Sequence, residues 1–195
     1  LYAVDLLERH GFRQYEISNF ARQGYESRHN LKYWRLGDYI GFGAAAHSFI
    51  NSRRFSFVSD IGEYIENINA NRTVVDSEET ISDFERAGEY LMLGLRTARG
   101  ISEAEYYAIY PCKFDMAREL MESYVKNGWM VKNDDRWSFT PQGFLLSNTL
   151  IGDILEEQTR QRTGIVAPWK VGETPEYQFT MIPRTASDMK LFNGI

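Results

Sequence analysis

Ser82-x-x-Glu85 and Ser102-x-x-Glu105 are the features that most restrict how this chain can fold. In such a box the serine hydroxyl accepts from the backbone N–H three residues on, and the glutamate reaches back, so each box marks where a helix begins. After the first, Leu91 and Leu95 carry the helical period and Gly100 supplies a stop. The second opens a shorter helix that ends at Pro111. A third helix is predicted from about Asp115 to Asn127, burying Met116, Leu120, Tyr124 and Val125, with Gly128 closing it. WMVKNDDRWSFT then predicts two strands around Asn133-Asp134-Asp135, and Thr140-Pro141 gives the next helix an N-cap and an N1 proline. Three helices, a hairpin and a closing helix make a winged-helix arrangement, with helical character expected to begin at Asp76.

The first 75 residues follow other rules. Leu1, Val4 and Leu7 give a helical period closed at Gly11, and QYEIS follows as a short strand. Residues 19–37 show no clean period, which places His29 in a long connection. DYIGF, Asp38 to Phe42, reads as a buried strand running into a Gly/Ala stretch. INSRRFSFVS alternates as a hairpin turning at Asn51-Ser52, and Asp60 caps a helix carrying Ile61, Tyr64, Ile65 and Ile68 on one face. From residue 161 onward, Pro168, Pro175 and Pro183 interrupt any period, so residues 161–195 stay unassigned.

Composition removes whole classes of function. With 43% hydrophobic and 25% charged residues, the chain reads as a globular protein able to bury a core. It has no apolar run of membrane-spanning length and LYAVDLLERHGF lacks the marks of a leader, so a non-spanning, cytoplasmic protein is expected. The net charge of −5 argues against nucleic acid as the main partner. The third helix agrees, because Asp115, Arg118, Glu119, Glu122 and Lys126 make a mixed face where a groove reader needs a basic one. One cysteine, Cys112, excludes an internal disulfide framework and a cysteine-only metal site; beside Pro111 it reads as a half-buried loop thiol.

Several residues carry chemistry of their own. His29, with Tyr33 four residues later, can set an imidazole and a phenol on one side of a helical turn, as a metal ligand or as an ordinary hydrogen-bonded pair. His47, after GFGAAA, can hydrogen-bond a substrate at a strand end, and His10 is placed to favour a helix C-terminus. Glu16 reads as a site carboxylate or a surface cap. Gly41, Gly43, Ala44, Ala45 and Ala46 are no phosphate loop; they suit tight packing or a flat floor under a cofactor. Tyr15, Phe20, Tyr25, Tyr33, Trp34, Tyr39, Phe42 and Phe49 crowd the first fifty residues and suit either a core or a large planar ligand.

The block QYEISNFARQGYESRHNLKYWRLGDYIGFGAAAHSF resembles the signature region of the oxygen-independent coproporphyrinogen III oxidase-like radical-SAM family, most closely its HemW-like haem-chaperone branch. GWMVKNDDRWSFTPQGFLLSN resembles that family's C-terminal domain. The resemblance implies an α+β fold: residues 1–75 as the end of a partial (β/α) radical-SAM barrel, and 76–160 as a mostly helical, winged-helix-like HemN-type domain. It implies haem binding at an H-N-x-x-Y motif, here His29, Asn30 and Tyr33, with His29 as the iron ligand. It also implies S-adenosylmethionine near Gly43, Ala45 and Ala46. The family's C-x-x-x-C-x-x-C triplet for a four-iron four-sulfur cluster is absent, so the chain is expected to be the C-terminal portion of a longer parent and inactive alone. The functions implied are haem delivery to receiving proteins such as respiratory enzymes, the oxidative decarboxylation of coproporphyrinogen III, or an accessory domain with no activity of its own.

Overall fold

Residues 1–110 and 114–163 are described by the computed structural model; Cys112 and residues 164–195 lie outside the described residues. Helix α1 (Tyr2–Arg9) leads into a small antiparallel pair, β1 (Arg13–Gln14) and β2 (Phe20–Ala21). QYEIS is therefore strand only at its first residue: Tyr15 N–H closes a turn onto Asn19 O at 3.1 Å, and Glu16 bridges to Thr97 instead. Next comes α2 (Arg28–Trp34), where the aperiodic stretch predicted a connection. Ser27 starts it by accepting from Asn30 N–H at 3.3 Å, a local cap that outweighs the missing amphipathic period.

A three-stranded antiparallel sheet follows, β3 (His47–Ile50), β4 (Arg53–Phe57) and β5 (Val75–Thr80), with α3 (Ile61–Asn69) between the last two strands. The β3–β4 hairpin turns at Asn51-Ser52 as expected, both residues taking positive φ. Asp60 caps α3 through Glu63 N–H at 2.8 Å, yet Ile61, Ile65 and Ile68 on its apolar face are more than half exposed. DYIGF is not a buried strand. Only Tyr39 pairs, as an isolated bridge to Phe49, while Ile40 and Phe42 are exposed and the chain turns away at Gly43 and Ala45 with positive φ. The helix expected from Asp76 is also replaced by strand: Arg53 and Arg54 of β4 face Glu78 and Glu79, and Ser56 and Ser77 hydroxyls meet at 2.6 Å. Such cross-strand pairs stabilise a sheet that local propensity alone does not signal.

From Ile81 the chain is mostly helical. α4 (Asp83–Gly94) carries the complete capping box of Ser82 and Glu85 and ends six residues before the predicted stop at Gly100. β6 (Ile101–Ser102), α5 (Glu103–Ile109), α6 (Asp115–Lys126), β7 (Met130–Asn133), β8 (Arg136–Phe139), α7 (Pro141–Leu145) and α8 (Ser147–Thr163) complete the order, the strands pairing as β6-β8-β7. Thr140 caps α7 with Pro141 at its first turn, as the sequence predicts. Leu91, Leu95, Ile101, Tyr106, Met121, Trp137 and Ile154 are almost wholly inaccessible and form one core under α4, α6 and α8. Val125, expected inside, is exposed, whereas Tyr124 is buried and donates to Asp153 at 3.0 Å. The fold is α+β.

Only half of the second box forms. Ser102 Oγ accepts Glu105 N–H at 3.3 Å, but Ser102 N–H donates to Tyr90 Oη at 2.7 Å. The Glu105 carboxylate turns to Tyr90 (2.6 Å), Arg99 (2.5 Å) and Arg136 (2.8 Å), tying α5 to α4 and the hairpin. Burial pushes its pKa up, but the hydrogen bonds from Arg136, Tyr90 and Arg99 overcome that and hold it at about 2, below its ordinary 4.5. A depressed folded pKa gives stability that is present above pH 4.5 and lost as pH falls towards 2. Glu105→Gln should therefore lower the melting temperature at neutral pH and flatten its decline across that acid window. An unchanged slope in melts taken across the window contradicts this role.

Candidate functional site

On α2, His29 and Tyr33 stand one turn apart, so their side chains meet on one face. Tyr33 Oη and His29 Nε2 are hydrogen-bonded at 3.2 Å, and the rings contact edge-on with centroids 4.9 Å apart. Tyr33 packs edge-on against Tyr39 at 4.7 Å, and Tyr39 lies 6.4 Å from buried Phe49. Backbone bonds between Tyr39 and Phe49, at 2.7 and 2.9 Å, fasten this aromatic file to β3. Burial raises the Tyr39 phenol above its ordinary pKa, against the opposing Arg54 guanidinium, so Tyr39 stays a neutral buttress. Arg54 lies over the Phe49 ring at 5.8 Å and pairs with Glu89 of α4 at 2.6 Å. An exposed imidazole is thus connected, ring by ring, to the sheet and to α4.

The other sequence candidates disperse. Asn30, half-buried, contributes its backbone N–H to the Ser27 cap, and its side chain makes no hydrogen bond to His29 or Tyr33. Gly43 and Ala45 sit in the turn before β3, and a Cβ at Gly43 would meet nothing within 4 Å, so the turn presents open backbone. Ala46 O accepts from Phe57 N–H at 3.0 Å and holds that turn on β4. His47 is exposed at the start of β3, and His10 donates from Nδ1 to Leu6 O at 2.8 Å as a helix-end residue. Glu16 is no surface cap: it is 1% exposed, and its Oε1 has no hydrogen-bond partner among the described residues. Tyr25 and Phe42 are more than four-fifths exposed, apolar surface available to a planar ligand rather than to the core.

A cavity of about 310 Å³ lies where the end of α2 meets α4 and α5, with Trp34, Arg35, Arg86, Tyr90, Arg99 and Glu105 in its walls. Sequence reading did not single it out. Arg86, Tyr90 and Gly94 recur every four residues on one stripe of α4, a signal that helical periodicity contains but that polar identities obscure. Among the described residues there is no group of three His, Cys, Asp or Glu side chains placed to hold a metal ion, and no helix is long and apolar enough to cross a membrane.

Comparison with known proteins adds an independent line. Residues 81–146 match the HemN C-terminal domain family. The chain is 34% identical over 152 residues to the protein named Heme chaperone HemW from Bacillus subtilis (strain 168), covering 77% of this chain and 40% of that protein. It is 29% identical over 162 residues to Heme chaperone HemW from Escherichia coli (strain K12), covering 78% and 40%. Among solved structures, coproporphyrinogen III oxidase (HemN) from Escherichia coli, described as a radical SAM enzyme, superposes with a TM-score of 0.58 at 14% identity, over 80% of this chain and 39% of that one. That likeness is one of fold. The chain spans about 40% of the length of the curated relatives it matches. It is a relative of the HemW-like proteins over part of their length, and it carries a HemN C-terminal domain at residues 81–146.

Proposed function

We propose that this chain handles haem as cargo, with His29 on α2 as the iron ligand, Tyr33 as its support and Asn30 as a contact to the macrocycle. The observation that carries the reading is the His29–Tyr33 pair, exposed to a ligand and buttressed through Tyr39 to β3. An imidazole is a good iron ligand, and a ligating histidine ordinarily gives its other ring N–H to a fixed acceptor. Nδ1, which has no partner among the described residues, would take the iron, and Nε2–H would then donate to Tyr33 Oη. Exposed Tyr25 and Phe42 offer apolar faces to a macrocycle.

Haem delivery ranks above coproporphyrinogen III oxidation because the relatives named haem chaperones reach 34% identity, whereas the solved oxidase shares 14% and supports the fold alone. In this reading residues 1–75 are the end of a partial (β/α) radical-SAM barrel and 76–160 a winged-helix-like domain. Its α6 is no groove reader, since Arg118 is spent on Glu103 and Asp115. Gly43, Ala45 and Ala46 would border S-adenosylmethionine. The cluster does not fit this chain, which has one cysteine where three thiolates are required, so it belongs to a longer parent. Haem-receiving proteins would be the partners and the cytoplasm the location.

Titrating haemin into the chain tests the reading. A saturable, one-to-one Soret shift characteristic of imidazole ligation is the expected result. Haemin that keeps its unbound spectrum throughout the titration sinks it. Anaerobic decarboxylation of coproporphyrinogen III by a full-length parent would favour the oxidase instead.

A further inference from the structure

We propose that the cavity between α2 and α4 is a carboxylate site that receives a propionate arm of the tetrapyrrole docked on α2, an assignment that rests on the haem reading above. Its walls hold more cationic groups than the protein itself neutralises. Arg86 donates from Nη1 to Ser52 Oγ at 2.7 Å, but its Nε is buried with no acceptor among the described residues. Arg35 closes α2 beside Trp34, and its side chain makes no hydrogen bond or ion pair among the described residues. Among the described residues Arg99 is the one cation of the wall with an acid, and that acid, Glu105, is shared with Arg136 and Tyr90. A buried donor without an acceptor is costly, and a guanidinium recognises a carboxylate with two parallel hydrogen bonds.

The rest of the lining selects the kind of carboxylate. Trp34, Leu36, Ala108 and Ile109 give apolar wall against which methylenes pack, so the cavity suits a short alkyl arm ending in a carboxylate better than a bare inorganic anion. His29 and Arg35 are six residues apart on α2 and its cap, about 9 Å along the axis and on different sides of the helix. Neither His29 nor Tyr33 lines the cavity, so the carboxylate contact is separate from the iron contact and is tested separately.

Metal-free protoporphyrin IX, a dicarboxylate that needs no iron ligand, separates this proposal from the reading of His29. Its binding is read as quenching of tryptophan fluorescence, with Trp34→Phe identifying the Trp34 contribution, and is compared with its dimethyl ester. The diacid should quench Trp34 and bind at least about tenfold more tightly than the diester, the factor that 1.4 kcal/mol makes. Arg35→Gln and Arg86→Gln should each weaken the diacid and leave the diester unchanged; His29→Ala should leave the diacid's affinity in place. Equal binding of diacid and diester, no quenching of Trp34, or an Arg35→Gln chain that binds the diacid undiminished overturns the proposal. Arg86 also holds Ser52, so Ser52→Ala serves as its folding control, and the exposed Arg35 decides the matter if Arg86→Gln does not fold. Loss of the haemin spectrum with intact diacid binding would count against His29 ligation alone.

Discussion

Replacing His29 with alanine should abolish the Soret shift of added haemin and leave the far-ultraviolet circular dichroism of the chain unchanged. His29 is exposed on α2, and its side chain's contacts are the 3.2 Å bond and the edge-on ring contact with Tyr33. Alanine is the best helix former and surface substitutions generally move stability by no more than about 0.5 kcal/mol, so α2 and its Ser27 cap should survive. Losing the iron ligand removes the directional part of binding and leaves apolar contact with Tyr25 and Phe42 together with the carboxylate contact at Arg35 and Arg86. Tyr33→Phe separates ligation from orientation. It keeps the ring against Tyr39 and deletes only the hydroxyl that fixes the imidazole, an outer-shell loss that typically weakens a metal site about 10- to 100-fold. The expected order of haemin affinity is unaltered chain, then Tyr33→Phe, then His29→Ala. A His29→Ala chain with the same spectrum and affinity places the ligand elsewhere and reduces SRHNLKYW to a capped structural helix.

Gly100→Ala should cost more than about 4 kcal/mol, in the range reached only by severe core lesions. Gly100 is buried with φ of +68°, where a residue bearing Cβ is disfavoured by roughly 1–2 kcal/mol. The added methyl would also stand 1.8 Å from Trp137 O and 2.8 Å from Ser138 Cβ. No rotamer change relieves a clash with backbone, so β6 must part from β8 and surrender the Ile101–Trp137 pairing over the core. Gly128→Ala isolates the conformational part, because Gly128 has φ of +75° but open space around its Cβ, and it should cost only about 1 kcal/mol. Urea unfolding of the two variants measures both figures. Equal midpoints for Gly100→Ala and Gly128→Ala would mean that the β6–β8 contact yields without loss.

How much was legible beforehand follows the range of each interaction. Ser82 with Glu85, Ser102 with Glu105 N–H, Thr140 with Pro141, and the turns at Asn51-Ser52 and Asp134-Asp135 all involve partners within about four residues, so spacing alone locates them. His29 and Tyr33 are half legible: the spacing of four brings their rings together once the segment is helical, but the aperiodic stretch around them predicted a connection and not α2. β5 is not legible. VDSEET has neither apolar alternation nor burial, and it becomes a strand because β4, about 25 residues earlier, presents Arg53 and Arg54 to Glu78 and Glu79. The file from Tyr33 through Tyr39 to Phe49, the burial of Glu16 and the cavity of Arg35 and Arg86 likewise join segments distant in the chain. Sequence by itself determined the caps of α4, α5 and α7 and the hairpin turns, because a hydrogen bond between near neighbours depends only on local backbone geometry. The tertiary structure alone decided which sheet claimed residues 75–80 and which arginines beside α2 have no counter-charge among the described residues, because both depend on what the folded chain sets opposite each group.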